Sequence, residues 1–300
     1  MSTGLWSQAD ELIDSLNLVE SHEEKSRLST KAATQLHSTH WERALTYIEL
    51  AEAEALKTKN PQDLLPSVYI AKAKMYDSRD VWDVSLDYYQ QSHIILTETQ
   101  DSSLLFLVEN NMATIYARLQ NDANALKYFR RVERYHSRLN DTLRQAQVLN
   151  NLGTYYLSKQ PDSALYYYDQ ALPLAKLLKD SLLLGYIYTN IARVYGAQNK
   201  SQTALSYHHR ALNTAENFSS INLKALVYQG PSTFYLRHAR ADSSIFYSNK
   251  TIALFKDDKI SFTLREALHT LYEAHLLQQN YKEASEYFTW YSKVTDSLNI

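Results

Sequence analysis

Ala164-Leu165-Tyr166-Tyr167-Tyr168-Asp169-Gln170-Ala171 is one copy of a pattern that returns along the whole chain. Its opening recurs at Ala44-Leu45-Thr46-Tyr47, Ser85-Leu86-Asp87-Tyr88, Ala125-Leu126-Lys127-Tyr128, Ala204-Leu205-Ser206-Tyr207, Ser244-Ile245-Phe246-Tyr247 and Ala284-Ser285-Glu286-Tyr287. Successive copies are 41, 40, 39, 40, 40 and 40 residues apart. A fixed period of this size marks a repeat architecture, in which each repeat is one supersecondary unit. A second pattern keeps step upstream: Ala71-Lys72-Ala73-Lys74-Met75-Tyr76, Asn111-Met112-Ala113-Thr114-Ile115-Tyr116, Asn151-Leu152-Gly153-Thr154-Tyr155-Tyr156 and Asn190-Ile191-Ala192-Arg193-Val194-Tyr195. A third opens units at Asp101-Ser102, Asp141-Thr142 and Asp180-Ser181. Side chains of these types accept from the free N–H groups of a first helical turn, so they read as N-caps.

Composition agrees with an all-α chain. Only 5 Gly and 5 Pro occur in 300 residues, well below the usual share of about 7% and 5%. Each unit is therefore expected to be a helical hairpin, helix A spanning for example Thr142 to Ser158 and helix B Asp162 to Lys176. Small residues (Ala113, Gly153, Ala192 and Ser232 on A, the Ala/Ser series on B) fall where the two backbones approach, since a bulky side chain there would strain the packing. Tyrosines and leucines are expected to fill the wedge between successive hairpins. No hairpin buries its apolar face alone, so the units must stack into a solenoid. Gly230-Pro231 falls inside the sixth helix A and predicts a kink, because proline removes a ladder bond. Pro173, nearer a helix end, raises the same expectation more weakly.

The Leu-Gly/Ala…Tyr pattern of helix A and the Ala-Leu-x-Tyr-Tyr…Ala pattern of helix B resemble the tetratricopeptide repeat (TPR), in a variant longer than its usual period. The resemblance runs from about Lys25 to Tyr291. It implies a right-handed superhelical solenoid of about seven antiparallel hairpins over residues 25–300, preceded by a capping helix and linker over residues 1–24. Leu5 to Leu18 is the expected cap. Asp296-Ser297 has the form of a cap for a further helix, so the chain is expected to continue past Ile300.

Several function classes are excluded or disfavoured. Charges nearly balance, 31 basic against 33 acidic for a net −2, unlike the basic excess of a general nucleic-acid binder. With 0 Cys there are no disulfides, thiolate metal sites or cysteine nucleophiles. The glycines, Gly4, Gly153, Gly185, Gly196 and Gly230, are too far apart for GxGxxG or GxxxxGK phosphate loops. No run of 18 apolar residues is present, so no membrane span is expected. His37-x-x-His40 and His208-His209 lack a third ligand and read as ordinary helical histidines. Glu23-Glu24 and Asp257-Asp258 read as solvated linker carboxylates. No cofactor, metal or catalytic residue is expected, and the chain is not read as an enzyme. Lys127, Arg131, Arg134 and Arg138 share one helix face, either as a solvated stripe or as a grip for an anionic partner.

The asparagine series carries the functional expectation. Asn111, Asn151 and Asn190 hold one register in consecutive repeats, preceded by Asn110 and Asn150. An amide both donates and accepts, so it clamps a peptide unit whatever its side chain, and asparagine is a poor helix former needing another reason to recur. The resemblance places helix A on a concave wall, where such amides bind an extended peptide. The other use of these residues is to bond adjacent A helices and set their stagger. Lys74, Gln147, Tyr186 and Arg193 are expected beside them. The function expected is a non-enzymatic scaffold for a protein or peptide ligand. The alternative is a sensor domain of a bacterial TPR signalling or transcriptional regulator, because Leu5-Trp6-Ser7 onward and Pro161-Asp162-Ser163-Ala164-Leu165 resemble envelope-anchored TPR proteins. That alternative implies the periplasm or cell envelope if a signal sequence once preceded the chain, and the cytoplasm otherwise.

Overall fold

The computed structural model describes residues 11–16, 18–37, 40–215, 221–255 and 261–298, and among these no strand occurs. Half of the expected cap, and Asp257-Asp258, lie outside the described residues. Residues 11–16 are helical. The helices that follow are α1 His22–Leu36, α2 Trp41–Leu56, α3 Leu65–Asp77, α4 Trp82–Glu98, α5 Ser102–Arg118, α6 Asp122–Arg138 and α7 Thr142–Tyr156. The series continues with α8 Pro161–Leu177, α9 Ser181–Ala197, α10 Ser201–Ala215, α11 Ile221–Arg237, α12 Ala241–Ile252, α13 Phe262–Leu277 and α14 Tyr281–Leu298. Odd-numbered helices are A and even-numbered ones B. The chain forms two compact units, residues 1–132 and 133–300.

Each unit is a stack of hairpins. In the first, α1 packs on α2 and α3 on α4, with α5 against α4. Ala33, Ala44, Ile48, Ala51, Val68 and Met75 close one core; Ile70, Tyr89, Leu96, Val108, Met112 and Ile115 close the next. In the second unit α7 pairs with α8, α9 with α10, α11 with α12 and α13 with α14. Its central core joins Leu149 of α7, Tyr168 of α8 and Ile187 of α9. A hairpin is thus buried by its successor, as the repeat pattern requires.

The expected caps are in place. Asp101 Oδ1 accepts from the N–H of Leu104 at 3.3 Å, Asp141 from Arg144 at 3.1 Å and Asp180 from Leu183 at 3.0 Å. Helix ends close differently from what the glycine count suggests. Asp80, Gln100, Gln120, Asn140, Lys179, Asn199, Ala239 and Gln279 all take φ between 53° and 60°, and no described glycine has positive φ. In several of these turns the next N–H reaches back five residues, as from Asn121 to Tyr116 O (2.8 Å) and from Arg240 to Tyr235 O (2.9 Å). This bond satisfies a carbonyl the helix leaves open.

A tyrosine pair stacks inside hairpin after hairpin. Ring centroids are 5.7 Å apart for Tyr76–Tyr88, 5.8 Å for Tyr116–Tyr128 and 5.5 Å for Tyr156–Tyr167. The series goes on with Tyr195–Tyr207 at 5.7 Å and Tyr235–Tyr247 at 5.9 Å. These rings tie helix A to helix B of one hairpin, where the sequence placed them between hairpins. At Gly230-Pro231 the chain stays helical: α11 runs from Ile221 to Arg237 with Pro231 inside it. Proline disfavours helix for its predecessor through a clash with that residue's Cβ, and Gly230 has none. α8 likewise contains Pro173 without interruption.

Candidate functional site

The candidate residues fall on A helices in two sets. Lys74, Asn110 and Asn111 lie on α3 and α5 of the first unit; Gln147, Asn150, Asn151, Tyr186, Asn190 and Arg193 lie on α7 and α9 of the second. In the first set Lys74 is exposed and Asn110 and Asn111 are half-buried. Asn111 hydrogen-bonds the hydroxyl of Tyr89, a ring that burial holds above the usual phenol range.

In the second set the side chains form a connected polar network. Asn190 Nδ2 donates to Asn150 Oδ1 at 3.3 Å and to Thr154 Oγ1 at 3.2 Å, both on the neighbouring A helix. Asn150 Nδ2 donates in turn to Asn151 Oδ1 at 3.4 Å. Thr154 Oγ1 donates to the main-chain carbonyl of Asn150 at 3.0 Å and lies 3.2 Å from the Tyr168 hydroxyl. With the threonine proton spent on that carbonyl, the Tyr168 hydroxyl is the donor of the last bond. Burial pushes the Tyr168 phenol up to about 12, against the opposing pull of the Thr154 bond and the Arg193 charge. Asn150 and Asn190 are each only 9% exposed, so these bonds form in a partly dry setting where leaving them unmade is expensive. The stagger-setting use of asparagine is therefore present in this unit. It consumes both Nδ2 protons of Asn190 and leaves its Oδ1 as an acceptor.

The remaining members surround this network. Gln147 is half-buried and accepts from Arg144 at 3.1 Å. Tyr186 is half-buried, and burial raises its phenol. Arg193 is exposed, one residue beyond Ala192. Two further residues continue the pattern: Gln229 Nε2 on α11 donates to Thr270 Oγ1 on α13 at 2.9 Å, and both are buried. Gln229 sits on the forty-residue beat of Asn150, which is the signal that would have found it. At the Asn190 position the next repeat has Gly230, where a β-carbon would meet His208 Cε1 at 3.0 Å and Nδ1 at 3.1 Å.

Other sequence candidates resolve into ordinary roles. His208 is buried and His209 exposed, so they do not converge. Burial, seconded by the charge of His209, pushes His208 down to about 4. His37 Nδ1 lies 2.7 Å from the Thr34 carbonyl. Glu23 pairs with Arg27 at 2.7 Å in solvent. Arg131 reaches the buried carboxylate of Glu109 at 3.2 Å, which His93 also contacts at 3.0 Å. Among the described residues no group of three His, Asp or Glu side chains could hold a metal ion, and no helix is long and apolar enough to cross a membrane.

Residues 104–177 match the family model for the tetratricopeptide repeat. No curated protein matches the chain. Among solved structures, NprR in complex with its cognate peptide NprX is 14% identical, with a TM-score of 0.68 over 100% of this chain and 85% of that one. A Rap protein complexed with Competence and Sporulation Factor is 14% identical, with a TM-score of 0.65 over 97% of this chain and 92% of that one. BtubC (BKLC) from P. vanneervenii is 22% identical, with a TM-score of 0.59 over 71% of this chain and 92% of that one. Together these likenesses establish the fold.

Proposed function

We propose that this chain, a helical repeat protein of the tetratricopeptide type, is a non-catalytic scaffold that binds an extended peptide or protein segment along its A helices. The observation that carries this reading is the network on α7 and α9. Asn190 is held in a fixed orientation by two donated bonds, and its Oδ1 stays available to accept from a partner's main-chain N–H. An amide held in place in advance loses little conformational freedom on binding, which is what preorganisation contributes to affinity. Asn151 and Tyr186 lie half-buried beside it, adding a polar and an aromatic contact. Lys74, Asn110 and Asn111 offer comparable groups in the first unit. Among solved structures of this fold, NprR holds its cognate peptide NprX and a Rap protein holds Competence and Sporulation Factor, which supports a peptide as the ligand class.

The test is a panning of the chain with a random displayed peptide library, followed by titration of selected peptides. The Asn111/Asn151/Asn190→Ala variant should bind them less tightly, each lost neutral bond being worth about 0.5–1.5 kcal/mol. Unchanged affinity would remove the asparagines from the site. Absence of any selectable peptide would remove the reading itself. The NprR and Rap likenesses also favour a second reading, that this scaffold is the sensing part of a signalling protein. A ligand-dependent change in an output domain fused in the same reading frame would support that reading, and a native protein carrying no output domain would contradict it.

A further inference from the structure

We infer that the turns at residues 138–144 and 176–182 form an edge of the second unit that docks on an anionic lipid bilayer. The edge lies at the ends of the hairpins, and the inference stands independently of a peptide along the A helices. Each turn leads from a B helix into the next A helix, α6 into α7 and α8 into α9. In the first turn Leu139 is 58% exposed and Leu143 36%; in the second Leu177, Leu178 and Leu182 are 75%, 38% and 45% exposed. The Asn190–Asn150 bond holds α7 and α9 side by side. Leu143 and Leu182 take the same place in the first turns of these two helices, so the leucines of both turns gather at one edge. Single exposed leucines are ordinary, whereas a gathered set marks a surface that meets an apolar partner.

Charge indicates which apolar partner. Arg138, Arg144, Lys176 and Lys179 are all exposed in these turns and form no ion pair among the described residues. Asp141 and Asp180 are the carboxylates of the two turns, and each accepts from a first-turn N–H as an N-cap. Four cations against two aspartates leave a local positive excess in a chain whose net charge is −2. A bilayer offers acyl chains and anionic headgroups together. Leucines at the turns enter the boundary between the two, while Arg and Lys lay their stems along it and keep their charges among lipid phosphates. Turns at the ends of neighbouring hairpins suit a broad surface of this kind better than a single extended segment.

The repeat does not require this composition. At the matching turn before α5, Glu98 replaces Arg138, Thr99 replaces Leu139 and Ser103 replaces Leu143. The turn after α2 exposes one leucine, Leu56, and its Lys57 is paired with Glu54 at 2.7 Å. On the opposite edge, the turns inside the α7–α8 and α9–α10 hairpins, residues 158–160 and 198–200, carry one lysine each and no leucine.

The experiment is flotation of the full chain with vesicles of phosphatidylcholine, alone or mixed equally with phosphatidylglycerol. The mixed vesicles should bind at least about tenfold more tightly, because each cation near an anionic surface adds to the attraction. Salt at about 1 M should remove most of that binding. Lys176→Glu with Lys179→Glu should abolish it, whereas Lys159→Glu with Lys200→Glu, the same change of charge on the opposite edge, should leave it intact. Leu139→Ser with Leu177→Ser and Leu182→Ser should weaken it about tenfold by removing buried apolar area, with the melting temperature unchanged. The chain has 0 Cys, so Leu177→Cys takes a single polarity-sensitive fluorophore. Its emission should shift to the blue on mixed vesicles, and the same label at Lys200→Cys should not shift. Equal binding to both vesicle types, binding to neither, leucine variants that bind like wild type, or equal shifts from the two labels would overturn the inference. So would binding to polyglutamate in place of vesicles, which would give the edge to an acidic polypeptide. None of these results bears on a peptide held along the A helices.

Discussion

Gly153 lies so close to the ring of Tyr168 that a β-carbon on it would stand 2.4 Å from Cε1 and 2.7 Å from Cδ1 and Cζ. The tyrosine is fully buried between α7, α8 and α9 and holds the end of the asparagine network through Thr154. Glycine here is thus a packing requirement inside a helix, where its backbone freedom alone would be a disadvantage.

Gly153→Ala should therefore destabilise the chain. Helix propensity favours alanine by about 1 kcal/mol, but overpacking of a closed core costs roughly 1–3 kcal/mol, and this ring has no room to retreat. Gly196→Ala provides the opposite case: its β-carbon would meet Phe234 at an ordinary 3.5 Å. It should stabilise by about 0.5–1 kcal/mol. Urea unfolding of both variants checks the opposed signs.

Ala239 closes α11 with φ of 53°. A β-carbon in this left-handed region costs roughly 1–2 kcal/mol, partly offset by the greater freedom of glycine in the unfolded chain. Ala239→Gly should raise stability by about 0.5–1 kcal/mol in the same unfolding assay. A loss would show that the closing turn tolerates alanine for a reason outside the backbone.

Glu109 is a buried carboxylate shared by Arg131 and His93, and Arg131 is half-exposed. Removing one partner from a buried charge is worse than removing the charge itself. Arg131→Met should cost about 1–3 kcal/mol, since it leaves Glu109 with a single partner. Glu109→Met should cost less, because the arginine it releases can reach water. The order of the two melting temperatures decides the point.

His208 ties stability to pH. Its folded value is held down to about 4, from an ordinary 6.5, chiefly by burial. Protons therefore bind the unfolded chain first as pH falls. The stability carried by neutral His208 is complete above about 6.5 and is lost progressively as pH drops towards 4. At most about 3 kcal/mol is involved. His208→Phe, matching Phe129 two repeats earlier, should flatten the stability profile between pH 6.5 and 4 relative to wild type. Parallel profiles would contradict it.

The sequence spoke clearly where one side chain sets one local bond. Asp141 and Asp180 announced helix starts because an oxygen one residue ahead of a helix has little else to do. It was silent where the backbone alone decides. Lys179 and Gln279 adopt the left-handed conformation with nothing in their side chains to advertise it, so the closing turns were invisible. The asparagine network was half legible. The repeat pattern aligns Asn190 with Asn151, but its bond goes to Asn150. The one 39-residue step, set among steps of 40, leaves two adjacent amides as possible partners, and only packing chooses between them. Gln229 and Thr270 escaped notice because they keep the position while changing the residue type.

The most direct test is photo-crosslinking of a library-selected peptide to chains carrying benzoylphenylalanine in place of Tyr186 or of Tyr166. Tyr186 lies half-buried on α9 beside the asparagines; Tyr166 lies exposed on the B helix α8. Binding along the A helices predicts adducts from position 186 and none from position 166. Adducts from position 166 alone, or from neither position while the peptide is bound, would contradict it.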